Sequence, residues 1–335
     1  MTVLAVIVVL LAFLVVALLA QWWLQGYAGR RLERYVAVNG LSRRYVVWLP
    51  SQHREKEPLP VVLAFHGGFA SPEQLEESAA IHQADQAQNF VIVYPEGYQR
   101  SWNAVLCCGP AARDNIDDRK FVCALLDDLA SAVRIDFRRV YATGFSNGAL
   151  FAYYLASTMA DRITAIAPVS GAMQDPNPIP PPCRPVPVFH WHGLEDRFAP
   201  YHGGMSLVKT APRQPPVESG IEFWKHFDGA HTAAQEELFG GSAVCLVYSG
   251  GRDGTRVQLC RVRGLGHQWP GSRPTGQYAK IASMFGPLGP PINANDAILN
   301  FFSEYELPSR RVEWHSSRRG QARGQAEHGD AQKST

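Results

Sequence analysis

A serine flanked by glycines is the first feature of the sequence with chemical meaning. Residues 144–148 read Gly-Phe-Ser-Asn-Gly, between an apolar segment that ends at Thr143 and a helical pattern that begins at Ser146. The glycines allow a sharp strand-to-helix turn that exposes the serine hydroxyl, and the helix N-terminus directs its free N–H groups toward a reacting carbonyl. We therefore predict that Ser146 is a nucleophile, in preference to the alternative of an ordinary tight turn.

A serine hydroxyl is a weak nucleophile and needs an adjacent base that an acid orients. Asp196 follows the apolar segment 186–191, and His267 follows the segment 257–262. Both therefore come directly after predicted strands, in the chain order nucleophile, acid, base. We predict His267 as the general base and Asp196 as its orienting acid, with the neighbouring Glu195 as an alternative acid.

A tetrahedral intermediate also needs N–H donors for its oxyanion. The backbone N–H of Asn147, directly after the nucleophile, is one candidate. The run His66-Gly67-Gly68-Phe69 follows another apolar segment, and its glycines permit close backbone approach, so we predict Gly68 as the second donor. Trp102 and Trp269 lie on predicted edge loops. We interpret them, with Asn103 and Phe69, as substrate contacts.

Other polar residues have plainer interpretations. His190 and His192 alternate along one predicted strand, and we interpret them as hydrogen-bonded core or loop histidines rather than metal ligands. Asp117 and Asp118 precede a helix, which is typical of capping carboxylates rather than of a catalytic pair. No CxxC or CxxxH spacing is present. We predict no metal and no cofactor.

The elements that would hold these residues alternate between strand and helix. Strands are predicted at 34–38, 43–49, 61–65, 90–94, 139–143, 163–169, 186–191 and 257–262. Helices are predicted from Ser71-Pro72, over about 118–133, 146–158 and 294–305. This alternation predicts an α/β protein with a mainly parallel, doubly wound sheet. An Asn39-Gly40 turn joins the first two strands as a hairpin.

The six cysteines bear on folding and compartment. Cys245 and Cys260 flank a hairpin pattern with its turn at 250–254, so pairing about that turn would bring them close enough to bond. Cys183 lies in a proline-rich loop and could reach Cys107 or Cys108, whereas Cys123 lies in a helical pattern and is interpreted as a small buried hydrophobe. Reduced thiols in a cytosolic enzyme remain an alternative.

The composition is uneven along the chain. Of 335 residues, 46% are hydrophobic and 19% charged, with a net charge of +2, which excludes a disordered chain and offers no basic excess for nucleic acid. Residues 3–20 are all apolar, enough to cross a membrane. We predict an uncleaved anchor over 1–29, with a signal peptide as the alternative, a catalytic domain over 30–308 and a disordered polar tail over 309–335.

The side of the membrane on which the domain lies is not settled by the sequence. Arg30, Arg31 and Arg34 follow the apolar segment, and the positive-inside rule would place the domain in the cytoplasm. The candidate disulfides favour a periplasmic or extracellular location. The sequence leaves the oligomeric state open.

In seven ordered motifs the chain resembles the esterase family that includes polyhydroxybutyrate depolymerases, feruloyl esterases and acetylxylan esterases. These motifs span roughly 36–305 and comprise Gly40 to Pro50, Phe65-His66-Gly67-Gly68, Tyr94-Pro95-Glu96-Gly97 with Trp102-Asn103 and Cys107-Cys108-Gly109, Asp117-Asp118-x-x-Phe121, Gly144-Phe145-Ser146-Asn147-Gly148, His192-Gly193-x-x-Asp196, and Gly266-His267-x-Trp269-Pro270-Gly271. Seven matches in order are more specific than any one of them.

The resemblance implies an α/β-hydrolase fold and a Ser146, Asp196 and His267 triad that acts on carboxylic esters, in the feruloyl, acetyl-polysaccharide or hydroxyalkanoate class. Arg119 and Lys120 depart from the family pattern without touching that triad. The expected partner is a small or oligomeric ester. A peptidase on the same fold and a membrane-tethered binding domain without catalysis are the alternative functions.

Overall fold

The structure is a computed structural model that describes residues 29–51, 57–105, 107–174, 179–207, 213–272 and 284–308. Within those ranges, none of the helices combines the length and apolar character needed to cross a bilayer. The predicted anchor, apart from Gly29, and the predicted tail lie outside the described residues.

In the part of the chain that the structure describes, ten strands form one sheet, and most agree in position with the predicted segments. Their bounds are β1 Arg30–Val38, β2 Leu41–Leu49, β3 Leu59–Phe65, β4 Val91–Pro95, β5 Ile135–Phe145, β6 Ala165–Val169, β7 Val188–Gly193, β8 Thr232–Leu238, β9 Ala243–Ser249 and β10 Val257–Val262. The strands are ordered β1-β2-β4-β3-β5-β6-β7-β10-β9-β8 across the sheet.

Six central strands, from β4 to β10 in that order, pair in parallel, and an antiparallel hairpin extends each edge. The central strands β4, β6 and β7 are buried along their whole length, as continuous apolar runs without alternation require. The predicted α/β class with a mainly parallel sheet is confirmed.

The described helices cover both faces of the sheet. Their bounds are α1 Pro72–Ala79, α2 Pro110–Arg113, α3 Asp118–Ala132, α4 Asn147–Thr158, α5 Val217–Asp228 and α6 Ala294–Ser303. One hydrophobic core packs α3, α4 and α5 against the sheet, and a second packs α1 and α6 against the opposite face. The sheet is therefore doubly wound. Because helices cover its two faces, the loops at the strand ends are the part of the sheet that they leave uncovered.

Local sequence explains several element boundaries. Ser71 caps α1 by accepting a hydrogen bond from the backbone of Gln74, with Pro72 in the first turn. Asp117 caps α3 by accepting from the backbone of Lys120. The Asn39-Gly40 turn joins β1 to β2, as predicted, with both turn residues at positive φ.

The sequence did not predict the one-turn helix α2, helix α5 or strand β8. Helix α5 carries its buried residues Val217, Ile221 and Trp224 at helical spacing, a signal that was available in the sequence. Strand β8 is almost wholly exposed, so it lacks the apolar alternation by which a strand is recognised.

Candidate active site

The predicted nucleophile lies on the sharp turn between β5 and α4. Ser146 has a φ of 55°, in a region that non-glycine residues rarely adopt, and its N–H donates to the carbonyl of Val169 at 2.9 Å. A Cβ on Gly148 would overlap the carbonyl oxygen of Phe65, and one on Gly144 would overlap that of Gly148. Glycine is therefore required on both sides of this turn, and Ser146 is presented above the carboxyl edge of the sheet.

The residues predicted as nucleophile, base and acid lie together at this edge. The Nε2 of His267 is 3.0 Å from the Oγ of Ser146, and its Nδ1 is 2.8 Å from Oδ2 of Asp196. His267 is 5% exposed and stacks on the ring of Phe198 at a centroid distance of 4.9 Å. This arrangement can carry a proton away from the serine hydroxyl.

The carboxylate of Asp196 is held on both oxygens. Its Oδ1 accepts from the backbone N–H groups of Phe198 and Ala199, each at 2.8 Å, and its Oδ2 accepts from His267. Burial opposes ionisation, but the positive charge that His267 can carry and hydrogen bonds from His192 and His267 outweigh it and hold the pKa of Asp196 below its usual range. Glu195, the alternative acid, is exposed.

The loop after β3 brings Gly68 to the same site. The buried ring of His66 contacts the carbonyl of Gly67 through Nδ1 at 2.7 Å, and its Nε2 accepts from the N–H of Gly97 at 2.9 Å. Because Nε2 accepts, Nδ1 carries the proton and donates to Gly67. A trans peptide points its N–H away from its carbonyl, so the hydrogen bond to Gly67 also sets the direction of the Gly68 N–H. The sequence contained His66 beside the glycines, but its positioning contact was not recognised.

Asn147 starts α4, where the first amide groups of a helix lack intrahelical acceptors. Its side chain is turned to the loop after β4: Oδ1 accepts from the N–H of Trp102 at 2.8 Å, and Nδ2 donates to the Trp102 carbonyl at 3.2 Å. Its backbone N–H and that of Gly68 remain the two proposed oxyanion donors.

Two predicted substrate contacts in the loop after β4 are wrong. Trp102 is fully buried, donates from Nε1 to the carbonyl of His66 at 2.9 Å and stacks on Phe151. Asn103 donates from its backbone to Asp118 at 2.8 Å and does not line the cavities at Ser146. The polar groups of both residues are bonded to other parts of the protein. Both residues therefore stabilise the loop and do not contact a substrate.

Trp269 is likewise not a substrate contact. It is 3% exposed, belongs to the core under α1 and α6, and donates from Nε1 to Oδ1 of Asn295 at 2.9 Å. Asn295 in turn donates to the carbonyl of Ala79 at 2.7 Å. Trp269 therefore ties the loop of His267 to both helices on that face.

The disulfides agree with the prediction at one pair and differ at the other. Cys245 and Cys260 are directly opposite each other on β9 and β10 and are joined, as predicted. Cys108 is joined to its neighbour Cys107, so the predicted pairing with Cys183 is wrong. Cys183 is free and exposed, within the proline-rich connection between β6 and β7.

His190, His192, Asp117 and Asp118 act as hydrogen-bonding groups of the fold. The two histidines contact each other through ring nitrogens at 3.0 Å. Asp118 is buried against Arg43 at 2.8 Å. The described residues contain no cluster of three or more groups suited to holding a metal ion.

Two cavities meet at Ser146. The first, of about 500 Å³, extends past Asn147 to Leu150 and to the disulfide of Cys107 and Cys108. The second, of about 360 Å³, lies on the side of His267 and has a polar rim. Three aromatic residues border both: Phe69, Phe198 and Phe285. Phe69, at 76% exposure, is the predicted substrate contact that the structure does place at the cavities.

Known proteins with similar sequences are esterases. Residues 117–236 match the family described as phospholipase/carboxylesterase. The chain is 28% identical to a putative esterase, NocK, of Nocardia uniformis, over 80% of this chain and 81% of that protein. It is 26% identical to feruloyl esterase B of Piromyces equi, over 67% of this chain but 42% of that longer protein.

Solved structures agree in fold. The feruloyl esterase module from Clostridium thermocellum aligns with a TM-score of 0.51 at 14% identity, over 85% of this chain and 92% of the module. A thermostable esterase aligns with a TM-score of 0.53 at 14% identity, over 82% of this chain and 63% of that one. The chain therefore has an α/β-hydrolase fold and is similar in sequence to proteins named as esterases.

Proposed function

We propose that the protein is a serine esterase in which Ser146 attacks the ester carbonyl, His267 takes the serine proton and Asp196 orients His267. The proposal rests on two consecutive hydrogen-bond contacts, from Oγ of Ser146 to His267 and from His267 to Oδ2 of Asp196, beside two cavities. The backbone N–H groups of Asn147 and Gly68 bind the oxyanion of the tetrahedral intermediate.

The reaction then runs in two halves. The bond between the carbonyl carbon and the leaving oxygen breaks as Nε2 of His267 returns its proton to that oxygen, which leaves an acyl-enzyme on Ser146. Water donates a proton to His267 as it attacks the acyl carbonyl, and collapse of the second intermediate returns the proton to Ser146 and releases the acid.

This sequence of steps indicates which part of the ester each cavity holds. The leaving alcohol must lie on the side of His267, because His267 protonates it, so the 360 Å³ cavity holds the alcohol. The 500 Å³ cavity then holds the acyl group, against Leu150 and the Cys107–Cys108 disulfide. Its size falls in the range of about 300 to 1,000 Å³ that is typical of small-molecule sites.

The linings favour an apolar acyl group on a polar alcohol. Both cavities are lined mainly by apolar atoms, and polar atoms form a larger share of the alcohol cavity, which Gln74, Glu77 and Ser78 border. Feruloyl and acetylated polysaccharides combine these properties, and two of the similar proteins carry the names feruloyl esterase and acetylxylan esterase. We propose esters of this class, with hydroxyalkanoate esters as the second candidate.

The function is tested with Ser146→Ala in the full chain. We expect the rate on a p-nitrophenyl ester to fall by about 10⁴-fold or more and labelling by a fluorophosphonate to disappear, with the unfolding temperature retained. Ser131→Ala, on the exposed side of α3, is the matched control and should keep both activity and labelling. Turnover by Ser146→Ala with labelling at another serine would contradict the proposal.

The substrate class is tested by varying one side of the ester at a time. Methyl ferulate, acetylated xylan, hydroxybutyrate oligomers and acyl esters of increasing length are compared by kcat/KM, together with the corresponding amides. Higher kcat/KM for feruloyl or acetyl sugar esters than for long-chain alkyl esters is expected. Faster hydrolysis of the amides would instead favour a peptidase, and failure of any probe to label Ser146 would favour a binding domain.

We also propose that residues 30–308 form the catalytic domain and work outside the cytoplasm, attached through an anchor within 1–29. Two disulfides among the described cysteines support an oxidising compartment. Expression of the full chain, cell fractionation and N-terminal sequencing test this. We expect the protein in the membrane fraction, with an intact Met1 and with a domain that added protease can reach from outside the cell. An active enzyme in the cytosol would contradict the proposal.

A further inference from the structure

A buried chain of hydrogen bonds runs from α4 to the acid of the proposed triad. The hydroxyl of Tyr153 is 2.8 Å from Nδ1 of His190, and Nε2 of His190 is 3.0 Å from Nδ1 of His192. Nε2 of His192 is 2.8 Å from the carbonyl oxygen of Ala199. Tyr153 is 3% exposed and both histidines are fully buried, so water does not interrupt the chain.

The Ala199 carbonyl, at one end of this series of hydrogen bonds, determines the position of every proton in the series. The carbonyl of Ala199 can only accept, so Nε2 of His192 is protonated and, in the neutral ring, Nδ1 accepts. Nε2 of His190 must then donate to it, and Nδ1 of His190 accepts from Tyr153. Burial, together with the neighbouring His192, lowers the pKa of His190, and burial raises the pKa of Tyr153, so both stay neutral.

The donating end of this chain lies against Asp196. Nε2 of His192 is 3.4 Å from Oδ2 of Asp196, the same oxygen that accepts from His267. The N–H of His192 is therefore shared between the Ala199 carbonyl and the carboxylate. Tyr201, whose ring meets His192 edge-on, and Arg261, which pairs in register with His192 on β10, are further titratable groups at this end.

We propose that Tyr153, His190 and His192 are positioning residues that hold one N–H on the Asp196 carboxylate and so set the orientation and basicity of the Asp196–His267 pair. The inference rests on the proposed esterase mechanism. If the proton order reversed, a lone pair of His192 would face the carboxylate. Asp196 would then lose a donor, turn more freely and concentrate its negative charge on His267.

Loss of the Tyr153 hydroxyl leaves the accepting Nδ1 of His190 without its donor, so the two imidazole rings are held less firmly in the order that the Ala199 carbonyl sets. For Tyr153→Phe in the full chain, we expect kcat on a soluble ester to fall about tenfold with KM changed by less than about twofold. Because a less shared carboxylate stabilises the imidazolium of His267, the acid limb of kcat/KM should move to higher pH by about half a unit.

Two further variants separate positioning from simple packing. Tyr154→Phe changes the adjacent, half-buried tyrosine of α4 and should keep the wild-type pH profile. His192→Gln places an amide N–H near the former Nε2 and should recover most of the kcat that His192→Leu loses. Active-site titration with a fluorophosphonate corrects every kcat for the folded fraction.

The outcomes are distinguishable. An unchanged acid limb in Tyr153→Phe, with activity reduced only in proportion to the titrated fraction, would show that the chain is purely structural and overturn the inference. Equal activity of His192→Gln and His192→Leu would do the same. A wild-type protein that hydrolyses no ester, or is not labelled at Ser146, would overturn the proposed function itself and this inference with it.

Discussion

A single buried imidazole ties together three segments around the proposed oxyanion site. His66 donates to the Gly67 carbonyl, accepts from the N–H of Gly97, and its own carbonyl accepts from the indole of Trp102. Burial lowers the pKa of His66 to about 4, so the ring is neutral at the pH where esterases work and keeps this donor and acceptor assignment. Its position next to Gly68 makes it a determinant of where that N–H points.

Replacement of His66 should therefore reduce turnover more than substrate affinity. In His66→Ala the Gly68 N–H is kept but the Gly67–Gly68 peptide loses its fixed orientation, so we expect kcat to fall about 10- to 100-fold with KM nearly constant, less than the roughly 10²- to 10³-fold typical of removing a donor outright. Steady-state kinetics on a soluble ester measure this. His202→Ala, on an exposed histidine, should leave kcat unchanged, and equal losses in both variants would contradict the assignment.

At the scale of elements, strand β2 and helix α3 are joined by a buried ion pair that also supports the site loop. Arg43 donates to Asp118 at 2.8 Å, lies over the ring of Phe121, and donates to the carbonyl of Glu96. Asp118 also accepts from the backbone of Asn103. The pair thus connects strand β2, helix α3 and the loop after β4.

Breaking this pair from one side should destabilise the fold. Arg43→Met leaves the buried carboxylate of Asp118 uncompensated, and we expect a loss of about 3 kcal/mol in the free energy of unfolding. Urea denaturation followed by tryptophan fluorescence measures it. The double variant Arg43→Met with Asp118→Asn should recover part of that loss, and a double variant less stable than Arg43→Met would refute the pairing argument.

The loop between β4 and α2 carries the vicinal disulfide that closes the proposed acyl cavity. Cys107 packs with Ala104 and Leu150, and Cys108 borders the same cavity. Replacing both cysteines by alanine removes two sulfur atoms from its wall and enlarges it. We expect the ratio of kcat/KM for bulky acyl esters over acetyl esters to rise several-fold.

Alcohol selectivity provides the internal control for this variant. The alcohol cavity does not include either cysteine, so ratios among esters that differ only in the alcohol should stay as in the wild type. A change in alcohol selectivity with constant acyl selectivity would reverse the cavity assignment.

At the scale of the whole molecule, one buried carboxyl makes stability depend on pH. Asp228 ends α5 and is fully buried, where its Oδ1 accepts from the backbone of Val186 at 3.2 Å. Its Oδ2 has no hydrogen-bond partner among the described residues. Burial raises the pKa of Asp228 from its ordinary value of 3.8 to about 7.

The sign of the pH effect follows from this difference. Between about pH 4 and 7 the folded protein keeps a proton on Asp228 that the unfolded chain releases, so stability falls as pH rises through this window. Asp228→Asn removes the titration. We expect this variant to lie within about 1 kcal/mol of the wild type at pH 4.5 and to exceed its unfolding free energy by a few kcal/mol at pH 8, since each pKa unit corresponds to about 1.4 kcal/mol.

Thermal unfolding across this pH range tests the prediction. Asp161→Asn, on an exposed carboxylate, is the control for the loss of one negative charge. If the difference in unfolding free energy between wild type and Asp228→Asn were the same at pH 8 as at pH 4.5, a buried protonated carboxyl would be excluded.

Sequence reasoning worked where the signal is local. The buried central strands appear as apolar runs, the caps Ser71 and Asp117 stand next to their helices, and the cysteines of β9 and β10 flank their turn. Predictions from the sequence were wrong where they depended on whether a side chain is buried. Trp102 and Trp269 look like loop aromatics available to a ligand, yet their indole N–H groups are satisfied by protein acceptors in the core.

The sequence by itself predicted the fold class and put forward Ser146, Asp196 and His267 as the proposed triad, because a glycine-flanked serine at a strand-to-helix turn and the residues that follow parallel strands are local patterns. Only the tertiary structure decided what surrounds them. The proton order of the histidine chain, the pairing of Cys108 and the cavity walls depend on contacts between segments far apart in the chain. Such contacts are set by how the helices pack on the two faces of the sheet, and no spacing along the sequence encodes them.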